Sequence, residues 1–217
     1  MRVGILGCGW VGEALRSKLI DEFDVACTGR ENYKRFAEYD TLDVFVCATP
    51  PSETTLKMLA FSLPKLKAEC QVILLSSISY YKGRELVRKV EKAVHKMRKT
   101  CVTVRLGGLM GYDRIAGRYT AGKRIGQNRM TNYIHRDDVV GFVCKLIYED
   151  EQEGVFDLVA PRQSDLKSIY DANAKRFGFA KTEFEEESVQ DALELPYSVA
   201  KMDIYLFSKP DVRLFWL

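Results

Sequence analysis

The sequence has little of what a metal or disulfide site requires. None of its six cysteines, at positions 8, 27, 47, 70, 101 and 144, belongs to a C-x-x-C pair. The two histidines, His95 and His135, are not spaced with Cys, Asp or Glu as zinc ligands are. We therefore predict no metal site. Because most of the cysteines lie in apolar runs, we expect reduced, buried thiols of a cytoplasmic protein.

Long hydrophobic runs and strong net charge are also missing. No run of about 18 apolar residues occurs, which a membrane-spanning helix would need, and the first residues resemble a strand rather than a signal peptide. The net charge is only +3, too small to indicate a nucleic-acid or membrane partner. The length of 217 residues predicts one domain, or one domain with a small appendage, and the hydrophobic fraction of 47% is typical of a globular protein with a packed core.

The most informative stretch lies within residues 1–12, MRVGILGCGWVG. An apolar run precedes the pattern G-x-G-x-x-G, and apolar residues at helical spacing follow it. Gly7 permits a tight turn, Gly9 lets backbone N–H groups approach a diphosphate, and Gly12 lets the helix pack closely. The alternative is a glycine-rich turn that binds nothing. The predicted dinucleotide loop consists of Gly7, Cys8, Gly9, Trp10, Val11 and Gly12.

Two residues bear on the chemistry of this loop. Cys8 precedes a helix N-terminus, where the pKa of a thiol can fall; the simpler interpretation is a small residue at a variable position. Arg30 follows the second predicted strand, where NAD sites place an acidic residue and NADP sites an arginine. Its planar guanidinium suits a phosphate, so we favour NADP over NAD. The alternative is that Arg30 is a surface charge and Glu31 binds the ribose.

Strands and helices alternate along the rest of the chain. We predict strands at 24–28, 42–48, 71–75, 101–106 and 155–159, and helices at 54–66, 84–97, 137–148 and 165–177. This alternation predicts an α/β fold with a Rossmann-type, doubly wound parallel sheet. Residues 31–42 are too few for another strand and helix, since one crossover takes about a dozen residues, so the third strand is predicted to be missing or vestigial.

Ligands in open α/β sheets bind at the carboxyl ends of the strands. We therefore add to the predicted cofactor site the residues Ala48, Thr49, Pro50, Ser76 and Gly107. We assign the Rossmann domain to 1–148 and a small C-terminal α+β substrate lobe, packed on it as one structural unit, to 149–217. Arg105 interrupts an apolar strand, so it is expected to pair with a buried carboxylate or to reach the cleft.

Three further segments carry a family resemblance. Residues 73–81 (ILLSSISYY), 104–111 (VRLGGLMG) and 132–140 (NYIHRDDVV) resemble, in order, three motifs of the extended short-chain dehydrogenases/reductases. With the glycine motif, they make the chain similar to the NAD-dependent epimerase/dehydratase superfamily, and to its compact nucleoside-diphosphate-sugar epimerase-like members. The resemblance implies NAD(P), a small polar or nucleotide-sugar substrate, and a homodimer. The ATPP sequence at 48–51 instead resembles 6-phosphogluconate-dehydrogenase-like reductases, against which NYIHRDD argues.

The resemblance also implies a catalytic Ser or Thr, a Tyr, and a Lys four residues after the Tyr. This chain departs from that pattern, because Arg84 follows Tyr80 at the fourth position and Glu85 follows Tyr81. A Y-x-x-x-K sequence at 119–123 lies after the fifth strand, where the family's pair does not lie, and we regard it as accidental. The catalytic lysine is therefore not identified.

Ile78 stands at the position where the resemblance places the catalytic hydroxyl, which leaves Ser77 or Ser79 as substitutes. The catalytic candidates that we name are Tyr81 and Ser77. Tyr81 is a proton donor helped by Arg84 or Lys82, or it marks the mouth of the nicotinamide pocket, or it only packs. The predicted function is an NAD(P)-dependent oxidoreductase or epimerase-like enzyme. The alternative is a catalytically reduced dinucleotide-binding sensor or regulatory protein.

Overall fold

The computed structural model of the chain describes residues 1–159 and 164–190. The strands are β1 (Arg2–Leu6), β2 (Asp24–Thr28), β3 (Val44–Cys47), β4 (Gln71–Ser77), β5 (Val102–Leu106), β6 (Gly108–Met110), β7 (Arg124–Thr131), β8 (Tyr133–His135), β9 (Gly154–Leu158), β10 (Ser164–Asp165) and β11 (Glu183–Gln190). The helices are α1 (Trp10–Leu19), α2 (Glu53–Ser62), α3 (Glu85–Met97), α4 (Arg136–Tyr148) and α5 (Leu166–Phe177).

Six parallel strands form the main sheet, in the order β2-β1-β3-β4-β5-β9. The order reverses between β1 and β3, as in a Rossmann fold. β2 is an edge strand, and the chain between β2 and β3 contains a single 3-10 turn at Tyr39–Thr41 in place of a further strand and helix. The predicted Rossmann-type sheet and its missing third strand are confirmed.

Helices cover both faces of this sheet. Because successive side chains of a strand point to opposite faces, Val44 and Val46 pack with α1 and α4, whereas Phe45 and Cys47 pack with α2 and α3. Burial on both faces explains why β3 is apolar throughout. The predicted helix over 54–66 ends earlier, at Ser62, and a 3-10 turn that contains Pro64 follows it. The proline nitrogen has no hydrogen and cannot donate a helical hydrogen bond.

A smaller sheet accompanies the main one, in the order β10-β7-β11. Helix α5 packs on it through Ile169 and Tyr170, which share an apolar cluster with Phe184. β7 precedes the predicted domain boundary at 148, while β9 follows the boundary and belongs to the main sheet. The smaller sheet therefore contains a strand from before residue 148, and the main sheet contains a strand from after it. Residues 160–163 and 191–217 of the predicted lobe lie outside the described residues.

The cysteines divide into two groups. Cys47, Cys70, Cys101 and Cys144 are buried thiols, as expected, and burial raises the pKa of Cys70 to about 12. Cys8 and Cys27 instead form a disulfide with a Cα–Cα distance of 5.8 Å, so the prediction of reduced thiols is wrong for this pair. β1 and β2 are adjacent strands, and this brings together residues that are 19 apart in sequence.

Among the residues that the structure describes, none of the helices combines the length and the apolarity needed to cross a membrane.

Candidate functional site

The glycine loop after β1 lies tightly against its neighbours. Gly7 has φ +115°, and a Cβ atom there would lie 2.9 Å from the carbonyl carbon of Ala48. A Cβ on Gly12 would lie 1.9 Å from the Gly7 carbonyl oxygen. Apart from adjoining backbone, Gly9 has no neighbour among the described residues within 4 Å of the same position. The first and third glycines therefore close the turn onto β3 and α1, and the second leaves open space beside the backbone.

Helix α1 begins immediately after Gly9. The Gly9 carbonyl accepts the first helical hydrogen bond, from the N–H of Glu13 at 2.8 Å. The N–H groups of Trp10, Val11 and Gly12 therefore precede the helical ladder and remain available at the positive end of the helix dipole. This is the arrangement that binds phosphate at helix N-termini.

Two adjoining cavities follow the carboxyl ends of the strands. The loop-side cavity, of about 650 Å³, lies between the glycine loop, Arg30 and Glu31. The sheet-side cavity, of about 340 Å³, lies at the ends of β4 and β5. Both are lined by the loop after β3, at Ala48, Thr49 and Pro50. They form one crevice along the carboxyl ends of the strands, as expected for open α/β folds.

The crevice brings together most of the predicted cofactor residues. Its lining includes Gly7, Cys8, Gly9, Val11, Arg30, Ala48, Thr49, Pro50, Ser76 and Gly107, together with Ser77 from the catalytic prediction. Gly12 is buried behind the loop. Arg30 and Glu31 both line the loop-side cavity, so the two predicted ways of holding the adenosine ribose remain possible in the same place.

Trp10 does not line either cavity. The guanidinium carbons of Arg114 and Arg136 lie 4.5 and 5.0 Å from the centre of its ring. Its indole N–H donates to Asp113 Oδ1 at 3.0 Å. Trp10 lines an outer cleft, of about 990 Å³, between α1 and the first turns of α4, which shares Cys8 and Gly9 with the loop-side cavity. The Trp10 side chain therefore lies outside the crevice, and its backbone N–H is the group that the predicted cofactor site could use.

The sheet-side cavity has a mixed polar and apolar lining. Ser77 Oγ accepts hydrogen bonds from the N–H and the hydroxyl of Ser79, at 3.2 and 2.9 Å, which leaves the proton of Ser77 for a further bond. Arg84, just before α3, lines this cavity, and Val87, one turn along, adds an apolar wall. This end of the crevice can orient a polar oxygen.

A buried ion pair lies directly behind Ser76. Arg105 donates to both carboxylate oxygens of Glu91, from Nε at 3.1 Å and from Nη2 at 2.8 Å. Burial alone would lower the pKa of Arg105, but the Glu91 carboxylate outweighs it and raises that pKa. Ser76 donates to Glu91 Oε1 at 2.6 Å. Of the two expectations for Arg105, pairing with a buried carboxylate is correct.

Tyr81 belongs to the same network. Its hydroxyl donates to Asp157 Oδ2 at 2.7 Å and accepts from Arg105 Nη1 at 2.9 Å. Burial, and then the hydrogen bond to Asp157, raise the pKa of Tyr81. A tyrosine that passes a proton during hydride transfer needs the opposite shift. The structure therefore corrects the predicted environment of Tyr81: the partner is Arg105, and neither Arg84 nor Lys82 is hydrogen-bonded to it.

Sequence reasoning missed Glu91 and Asp157. Glu91 shares the buried face of α3 with Val87, Val90 and Val94, and Asp157 interrupts the apolar β9. A charged residue at an apolar position must be paired if it is buried. The same signal singled out Arg105, so the acidic partners could have been found by asking which carboxylates break an apolar pattern.

A third cavity, of about 520 Å³, adjoins the crevice at Leu109. We call it the arginine cavity, because Arg114 and Arg118 line it, together with Tyr119 and Tyr133. The Tyr119 hydroxyl lies 2.6 Å from that of Tyr170. Asp113 also lines it, so the cavity combines cationic, anionic and aromatic residues next to the end of β5.

Comparisons with family models and with curated proteins find no match. Solved structures match nearly the whole chain. The dTDP-4-dehydrorhamnose reductase of Bacillus anthracis, in complex with NADP, has a TM-score of 0.73 at 9% identity, covering 99% of this chain and 95% of that one. Human epimerase family protein SDR39U1, with NADPH, has a TM-score of 0.71 at 18% identity, covering 98% and 97%. The chain has the fold of the extended short-chain dehydrogenases/reductases.

A UDP-N-acetylglucosamine 4-epimerase from Bacillus cereus also shares this fold, with a TM-score of 0.67 at 11% identity, covering 99% of this chain and 93% of that one. The matched proteins thus include a reductase and an epimerase. The resemblance to the nucleoside-diphosphate-sugar epimerase-like superfamily is confirmed for the fold.

Proposed function

We propose that this chain binds NADP or NAD along the crevice and transfers a hydride between the nicotinamide and a small polar substrate. The observation that carries the proposal is the continuity of the glycine loop with a cavity at the ends of β4 and β5. Two proteins of the same fold were crystallised with NADP or NADPH. The size and the order of the two cavities suit an extended dinucleotide.

The loop-side cavity is proposed to hold the adenosine half. The N–H groups from Cys8 to Val11 would bind the diphosphate, since they lie at the N-terminus of α1. Arg30 would bind a ribose 2′-phosphate with its planar guanidinium, which makes NADP the favoured cofactor. With NAD, Glu31 would accept hydrogen bonds from the ribose hydroxyls instead. Both residues line this cavity.

The sheet-side cavity is proposed to hold the nicotinamide and the reacting carbon. The cofactor, when bound, supplies or accepts the hydride. Arg84 and Ser77 are the polar groups that would orient the substrate oxygen there, the first by its charge and the second by its hydroxyl proton. Thr49 and Pro50 would cover the junction between the two halves. Tyr81 holds the polar network behind the cavity in place.

The arginine cavity is proposed to hold the remainder of the substrate. Arg114 and Arg118 line this cavity next to the sheet-side cavity, together with Asp113, and a guanidinium that turns from its present contacts toward a ligand could bind phosphate through paired hydrogen bonds. Tyr119 and Tyr133 offer ring surfaces to a base or sugar. A substrate that carries phosphate, such as a nucleotide sugar, fits these groups better than a simple aldehyde does.

A catalytically reduced dinucleotide sensor is the second candidate. It is favoured by the hydrogen bonds that hold the Tyr81 hydroxyl to Asp157 and Arg105, and by the apolar Val87 on the wall of the sheet-side cavity. The Tyr81 proton is held by Asp157, and Val87 has no acidic proton, so neither residue can donate a proton to a substrate in this arrangement. Such a protein would bind the cofactor and turn nothing over.

The test begins with titration of the protein by NADPH and by NADH, followed by nicotinamide fluorescence. Nucleotide sugars and simple aldehydes are then screened for oxidation of NADPH. Arg84→Ala is expected to lower turnover by about tenfold or more while cofactor affinity stays within about twofold. Tight binding without turnover of any carbonyl supports the sensor. Binding of neither nucleotide overturns both candidates.

A further inference from the structure

The disulfide joins the two segments that enclose the loop-side cavity. Cys8 occupies the second position of the glycine motif, and Cys27 is the last residue but one of β2. The N–H of Gly7 also donates to the carbonyl of Thr28, at 2.7 Å. Arg30 follows two residues later. One covalent bond therefore ties the proposed diphosphate loop to the strand that leads to the proposed 2′-phosphate ligand.

The pair is open to solution. Cys8 and Cys27 are both partly exposed, and Cys8 lines the loop-side cavity as well as the outer cleft. The other four cysteines are buried, and burial raises the pKa of Cys101 to about 12 and that of Cys144 to about 11. Thiolates, not thiols, exchange with disulfides. A dissolved oxidant should therefore reach the pair well before the buried thiols.

Glu13 favours the bridged form. One oxygen of its carboxylate lies within 4.8 Å of both sulfur atoms. A thiolate beside a carboxylate is disfavoured by repulsion, whereas a disulfide carries no charge. The N-terminus of α1 acts in the other direction, since it stabilises negative charge. These opposed effects suit a pair that passes between two states.

We propose that Cys8 and Cys27 are a reversible oxidation site that sets the affinity of the glycine loop for its dinucleotide. The proposal rests on the proposed function, because it concerns the same loop. In the bridged state the N–H groups of Cys8 and Gly9 are held where a diphosphate needs them. After reduction the two sulfurs must separate to non-bonded contact, about 4 Å, and the loop moves with Cys8. The oxidised protein therefore binds the cofactor more tightly, through preorganisation.

The oxidant is a low-molecular-weight disulfide of the glutathione class. The Cys8 thiolate attacks one of its sulfur atoms, its S–S bond breaks, and one small thiolate leaves. The Cys27 thiolate then attacks the Cys8 sulfur of the mixed disulfide and releases the second small thiolate. Two electrons pass from the protein pair to the small disulfide, and the two protein thiol protons end on the two released thiols.

The experiment equilibrates the full chain in buffers with different ratios of oxidised to reduced glutathione. Alkylation and mass spectrometry then count the thiols at each of the six cysteines. We expect Cys8 and Cys27 to be oxidised together, with the other four as internal controls that remain thiols. Titration with NADPH is expected to give about tenfold tighter binding to the oxidised protein. Equal affinity within about twofold overturns the proposal.

The variant Cys27→Ser leaves the glycine loop itself unchanged. It should bind NADPH as weakly as the reduced protein does, in every redox buffer. By reciprocity, NADPH should shift the dithiol–disulfide equilibrium of the unmodified chain by the same factor by which oxidation shifts its affinity; an unchanged equilibrium contradicts the coupling. If the reduced protein instead binds one equivalent of zinc, and Cys27→Ser and Glu13→Gln abolish that binding, the pair is a metal site and the redox proposal is wrong. If NADPH binds in neither state while the disulfide still forms, the proposed function is wrong, and so is the proposed control of affinity; only the reversible oxidation of the pair is then supported.

Discussion

The two ends of the crevice are built in opposite ways. The loop end consists of the consecutive residues Gly7 to Gly12. Its shape depends on glycines, which have no side chain, and it leaves backbone N–H groups open. The sheet end depends on side chains from distant parts of the chain, with Glu91 of α3, Arg105 of β5 and Asp157 of β9 joined behind Ser76. The first leaves backbone groups open to the cavity, whereas the network behind the second is closed by its own hydrogen bonds. The two ends of the crevice therefore depend on different kinds of interaction.

The largest effect is expected at the closed end, from Glu91→Gln. This change removes the charge that compensates Arg105 in the interior, and breaking one side of a buried ion pair typically costs about 3–5 kcal/mol. Urea denaturation should show this loss in the free energy of unfolding.

Glu85→Gln is the matched control, because it lies on the same helix but in an exposed pair with Lys89 at 2.7 Å. It should change the free energy of unfolding by less than about 1 kcal/mol. If Glu91→Gln is as mild as Glu85→Gln, the network is not a stable part of the protein, and the contrast between the two ends disappears.

The next effect is at the loop end, from Gly12→Ala. Its Cβ would lie 1.9 Å from the Gly7 carbonyl oxygen, so α1 and the loop must separate, at a cost of about 1–3 kcal/mol in the free energy of unfolding. Urea denaturation measures this cost.

Gly9→Ala separates packing from binding, since, apart from adjoining backbone, no atom of the described residues lies within 4 Å of the new methyl group. Its stability should stay within about 1 kcal/mol of the parent, while NADPH affinity falls, because the methyl group fills the space that the diphosphate would use. Unchanged affinity in Gly9→Ala would place the diphosphate elsewhere.

Local and distant interactions explain what the sequence can predict. The alternation of strands and helices, the glycine loop and the missing third strand all depend on neighbouring residues, and the structure confirms these fold features. Strand β7 was missed, because it is largely exposed and pairs with β10 and β11 from much later in the chain. The Cys8–Cys27 bridge and the partners of Tyr81 were missed for the same reason: strand order, which local patterns do not contain, brings those residues together.

A smaller effect is expected from Arg30→Ala. If Arg30 binds the 2′-phosphate, this variant loses about ten- to a hundredfold in NADPH affinity and little in NADH affinity, since a hydrogen bond to a charged group contributes about 1.5–3 kcal/mol. Fluorescence titration with both nucleotides measures the ratio. Lys34→Ala removes the same charge from a nearby position that does not line the crevice, and should leave the ratio unchanged. An unaltered ratio in Arg30→Ala favours Glu31 as the ribose ligand, and with it NAD.

The smallest effect is expected from Tyr81→Phe, and it decides whether Tyr81 has a structural or a catalytic role. As a structural residue, Tyr81 loses two hydrogen bonds, and the free energy of unfolding falls by about 1–2 kcal/mol. Because the folded-state pKa of Tyr81 is raised, its contribution is complete below about pH 10, where the unfolded tyrosine is protonated, and is lost as the pH rises towards the higher folded-state pKa. Tyr81→Phe should therefore flatten this alkaline part of the stability profile and leave turnover within about threefold, whereas loss of an acid–base catalyst would lower turnover by about 10²–10⁴-fold. A loss of that size at unchanged NADPH affinity would mean that Tyr81 leaves Asp157 and Arg105 when substrate binds, and that the closed end opens during catalysis.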